Sequence, residues 1–93
     1  MPKFSEILGY KVFVWSNEGK PLEPVHVHVS KNISKNATKF WILKDGSVRL
    51  AHDSNELSSK DLVKVQKVLE QYSKEYVKKW ETYFDVSARF INE

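Results

Sequence analysis

The chain is predicted to fold as an α+β domain: a small antiparallel sheet of four to five strands packed on one long C-terminal helix. Three observations carry this. Val25-His26-Val27-His28-Val29 alternates apolar and polar without a break, the period of a half-buried strand. Several short β-branched and aromatic runs lie on either side of it, separated by Gly, Pro and Asn. From Ser58 to Phe84 neither Gly nor Pro occurs, and Leu62, Val65, Leu69, Tyr72, Tyr76, Trp80 and Tyr83 recur at intervals of three and four.

Phe4 to Gly9 reads as a turn or short helical piece ending at the glycine. Tyr10 to Ser16 is a strand by its aromatic and β-branched content. Asn17 to Pro24 is a loop punctuated by Gly19, Pro21 and Pro24. Ser30 to Ala37 repeats Ser-Lys-Asn and reads as a polar, mobile loop. Thr38 to Leu43 and Val48 to His52 form a hairpin about Asp45-Gly46. Ser58 or Ser59 caps the helix, with Asp61 near its positive end. Asp85 ends it, and Val86 to Ile91 alternates as a further strand. A helix of about 26 residues would be roughly 39 Å long, so an overhang or kink is expected.

With 93 residues, one domain spanning 1–93 is expected. Apolar residues are 41% of the chain, too many for a disordered segment. There is no cysteine, which removes disulfides and thiolate metal sites and fits a cytoplasmic location. No apolar run is long enough for a membrane span or a signal peptide. The net charge of +3 permits an anionic partner without requiring one. No cofactor is implied.

Alternation assigns Val12, Val14, Val25, Val27, Val29, Phe40, Ile42, Val48 and Leu50 to the face that the helix covers, with His52 on the same side. The opposite face then carries Phe13, Trp15, His26, His28, Trp41 and Arg49, with Lys11 and Lys39 nearby. Exposed aromatics of this density mark a contact surface. Three readings compete. The face is a second small core or a self-association surface. Alternatively Trp15 and Trp41 stack bases while Lys31, Lys35, Lys39 and Arg49 meet phosphate. Alternatively His26 and His28, two residues apart on one strand, serve as an acid–base pair or as two metal ligands. Two ligands are too few for a tight site. Lys60, Lys64, Lys67, Lys74 and Lys78 line the far side of the helix, and flanking Glu70, Glu75 and Glu81 make a solvated face the simpler reading.

The opening Met1-Pro2-Lys3-Phe4, the Ile7-Leu8-Gly9-Tyr10 step, Phe13-Val14-Trp15, Pro24-Val25-His26-Val27-His28 and Trp80 near the helix end resemble domain-of-unknown-function family 4160. These are small bacterial proteins with a Pro-x-His-x-His segment. Many members carry two prolines before the first histidine, where this chain has Pro24 and then Val25. The resemblance implies a small α+β fold and no particular reaction. It also implies a toxin–antitoxin-like gene pair, and so a cognate protein partner. His26 and His28 are the residues it marks. The function expected is therefore protein binding, with a nucleic-acid-binding or ribonuclease-like toxin as the alternative.

Overall fold

A computed structural model describes residues 2–16, 22–33 and 36–92. Five strands, β1 Lys3–Ile7, β2 Tyr10–Phe13, β3 His26–Ser30, β4 Thr38–Ile42 and β5 Val48–His52, precede two helices, α1 Ser59–Gln71 and α2 Ser73–Phe84. The strands form one antiparallel meander in sequence order, with β3 at its centre. Among the described residues no helix is long and apolar enough to cross a membrane.

The first strand corrects the expected turn or helical piece. Ile7 pairs with Tyr10, leaving Leu8 and Gly9 as a two-residue loop with φ of +53° and +82°. Two positive φ values are what a type I′ hairpin needs. Leucine is a poor residue for that conformation, which is why the sequence hides the hairpin. The Asp45-Gly46 hairpin forms as expected, but only Gly46 of the pair has positive φ. Its turn is closed by Gly46 N–H to the Leu43 carbonyl (3.0 Å) and by Asp45 accepting from the Ser47 amide and hydroxyl.

The core lies between the sheet and the helices. Val12, Val14, Val25, Val27, Val29, Phe40, Ile42 and Val48 are buried, as the alternation requires. Leu50 is not: it is 37% exposed. A register shift lies between Lys39 and Phe40, so Phe40 opposes Leu50 while Lys39 opposes His52. The bulge thus puts His52 across from Lys39, which corrects its assignment to the core side.

The single long helix is two pieces. Ser58 caps α1 by accepting from the Asp61 amide, as the sequence predicts. The helix then breaks at Tyr72 (φ −111°, ψ 20°). A straight rod of roughly 39 Å would overrun a molecule 33 Å in its longest dimension. The break keeps both halves on the sheet. The buried seam runs Val65, Leu69, Ser73, Tyr76 and Trp80, with Phe84 partly covered, while Tyr72 and Tyr83 are each 43% exposed. Asp85, with φ of +55°, stops α2, its amide bonding the Glu81 carbonyl. Val86 to Ile91 is not a strand. Its Arg89 carbonyl accepts from the Val25 amide (2.8 Å), just ahead of β3.

Helix side chains also cover the sheet's edges. Gln66 donates to the Val48 carbonyl and Glu70 accepts from the Val48 amide on β5, while Lys79 donates to the Phe4 carbonyl on β1. The hairpin yields a test. Leu8 is 55% exposed, so Leu8→Asn loses little contact and creates the Asn-Gly pair that type I′ turns favour. Urea unfolding is expected to show stabilisation of about 1 kcal/mol. Destabilisation would exclude the type I′ assignment.

Candidate functional site

Register builds the site. On the outer sheet face His28 on β3 opposes Phe13 on β2 and Lys39 on β4, while His26 opposes Trp41, which in turn opposes Arg49 on β5. Opposed residues share a face, so residues of four strands converge on it. The rings touch in sequence. Trp15 meets Phe13 edge-on at 5.5 Å between centroids, and Phe13 stacks on His28 at 5.6 Å. His28 meets His26 at 5.0 Å, and His26 meets Trp41 at 5.6 Å.

The face is less bare than alternation suggests. Phe13 and His26 are fully buried, and Trp15, His28 and Trp41 are half-buried. His26 is closed off by Trp80 of α2, whose ring centroid lies 4.9 Å away. Phe84 and then Tyr83 continue the ring series at 4.5 and 4.9 Å. Trp80 was legible as a core residue from the helix period, but its meeting with His26 has no mark in the sequence.

His26 Nδ1 lies 2.9 Å from the Pro24 carbonyl oxygen. A carbonyl only accepts, so this nitrogen carries the proton and donates. The backbone carbonyl two residues ahead therefore fixes the ring's orientation. His28 is pushed down to about 4, first by burial, then by the neighbouring His26 and by Lys39, with Glu23 opposing. At neutral pH it is an uncharged ring.

Lys39 does not stand free. Its ammonium is 2.8 Å from Glu23 Oε1 and 4.2 Å from the Trp41 ring centroid. Glu23 is a site residue the sequence reading missed, because a pair sixteen positions apart in two separate elements leaves no pattern. Arg49 is exposed beside Trp41. Lys31 lies elsewhere: it follows the far end of β3 from His26, with its ammonium 5.6 Å from the Tyr10 ring centroid. Lys35 lies outside the described residues. His52 Nε2 donates to Asn36 Oδ1 at 2.9 Å. Among the described residues no group of three or more His, Asp or Glu could hold a metal ion.

The comparison with family models decides the chain's kinship. The model described as "Domain of unknown function (DUF4160)" matches residues 9–81. The chain belongs to this family. The matched span of DUF4160 includes β2 through most of α2, and so all the rings from Phe13 to Trp80. No curated protein and no solved structure matches the chain.

The lowered His28 value sets a pH dependence. Unfolded, the ring takes its proton near pH 6.5; folded, near 4. Between these values the unfolded state binds more protons, so stability falls as pH drops from 6.5, and this one group's loss is complete below 4. At roughly 1.4 kcal/mol per pH unit, discounted for the solvent that reaches the ring, the loss is about 2 kcal/mol. Urea unfolding at pH 7 and pH 4.5 should show this loss in the native chain and a smaller one in His28→Phe. Imidazole NMR should find His28 neutral at pH 5.5; a midpoint near 6.5 would contradict its burial.

Proposed function

We propose that this chain is a binding module that docks a protein partner on the outer sheet face, through Trp15, Trp41 and Arg49 around the neutral His28 ring. One observation carries the choice. Lys39, the cation nearest the rings, is held by Glu23 and lies over Trp41. Its charge is offset, and a plane on which a base would stack is occupied. Half-buried tryptophans with an arginine at the margin are the usual composition of protein hot spots. A single-stranded nucleic-acid platform instead needs open ring faces and unneutralised cations along a track. The neighbouring-gene product suggested by the family resemblance, in a toxin–antitoxin-like pair, is the partner class that fits best.

The alternative is a nucleic-acid-directed, ribonuclease-like protein in which His26 and His28 exchange protons. The exposed Arg49 and the paired imidazoles favour it. Against it stands His28, which at a value near 4 neither donates a proton at neutral pH nor accepts one strongly.

The experiment is co-purification of the tagged chain from its native cells, at low and at raised salt, with and without nuclease. A single protein should be retained under all four conditions, with retention reduced at least about tenfold, or 1.4 kcal/mol, by Trp41→Ala and by Arg49→Glu. Arg49 is exposed, so its variant keeps the fold if Trp41→Ala does not. Recovery of RNA that elutes steeply with salt would overturn the proposal in favour of phosphate contacts.

A further inference from the structure

A groove of about 550 Å³ opens between α2 and the edge strand β1, and Tyr83, the last ring of the series that starts on the sheet, lines it. Phe4 and Tyr83 supply its apolar surface, and Lys3, Lys78 and Lys79 its charge. Against these three lysines the groove has one carboxylate, Glu75. A smaller depression adjoins it past Glu75 and Lys79 and reaches Tyr72. Tyr72 and Tyr83 are the two seam tyrosines that the sheet leaves 43% exposed. Eleven positions apart, they stand about three helical turns from each other along one flank.

The cations differ in availability. Lys79 spends one bond on the Phe4 carbonyl at 2.8 Å, which blocks strand addition at that point of β1. Lys3 makes an exposed contact with Glu6 at 3.6 Å, a pairing of little energy. Lys78 is exposed and makes no ion pair among the described residues. A ligand here therefore engages side chains rather than the β1 ladder. From Glu75 to Tyr83 the helix rises about 12 Å, room for roughly four residues of extended chain.

We infer that this groove docks an acidic segment of a partner protein, with an aromatic residue set between Phe4 and Tyr83 and carboxylates on Lys3, Lys78 and Lys79. Charge complementarity chooses the occupant's sign, and the apolar floor requires a ring or aliphatic group. The short span suits a peptide better than a nucleic-acid strand.

The probe is a short fluorescein-labelled peptide with one central Phe among Asp and Glu residues. Controls are its Phe→Ser version, a version with every acidic residue replaced by Lys, and an oligouridylate RNA. Polarisation should show binding by the acidic Phe peptide, weakened at least about tenfold in Lys78→Glu and in Tyr83→Ser. Amide shifts should centre on Lys78, Thr82 and Tyr83. Both side chains are exposed, and urea midpoints should confirm that the variants fold. Equal binding of the Lys-containing peptide, preference for the RNA, shifts centred on Trp41, or no binding by the acidic Phe peptide would each overturn the inference.

Discussion

The contact between His26 and Trp80 joins the two halves of this molecule. His26 stands at the start of the central strand and Trp80 in the second helix, and both are buried. A buried imidazole is costly unless its polar atoms are bonded. The Pro24 carbonyl meets that need at Nδ1, and among the described residues no buried side-chain polar atom lacks a partner. With His26 fixed, Trp41 and His28 are positioned from either side, and Phe13 and Trp15 follow through His28. The half-exposed rings of the proposed contact surface thus rest on a fully buried one. A pre-ordered aromatic patch loses little side-chain freedom on binding, which favours affinity.

The helices do more than cover a core. Their polar side chains reach the backbone of β1 and of β5, the two edges through which an open sheet would pair with another chain. With Phe4 and Val48 engaged in this way, the broad faces and the α2 groove are better placed than the edges to receive a partner. The Gly46 turn shows how closely the second helix approaches: a Cβ there would lie 3.0 Å from the Ser73 hydroxyl, at the point where the helix resumes.

Features set by local chemistry were legible in the sequence. The alternation of Val25 to Val29, the Ser58 cap with Asp61, the helix end at Asp85 and the burial of eight predicted core residues are all properties of short segments. Features set by tertiary constraint were not. Leu8 adopts a conformation its type disfavours because the hairpin imposes it. The break at Tyr72 has neither Gly nor Pro to announce it and answers to the sheet's size. The bulge that re-aims His52 lies between ordinary residues. At the candidate site, the sharing of one face by His26, His28, Trp15 and Trp41 followed from period two, but the burial of His26, the Glu23–Lys39 pair and the remoteness of Lys31 depend on contacts between distant elements.

The most direct measurement is a double-mutant cycle between His26 and Trp80, using His26→Leu, Trp80→Leu and the pair, read by urea unfolding and by the indole NMR signals of Trp15 and Trp41. A coupling of about 1 kcal/mol, with both indoles displaced in the folded Trp80→Leu chain, is the expected result. Additivity within about 0.3 kcal/mol, with the indoles unmoved, would show that the outer rings are ordered without the helix and would contradict the role assigned to this contact.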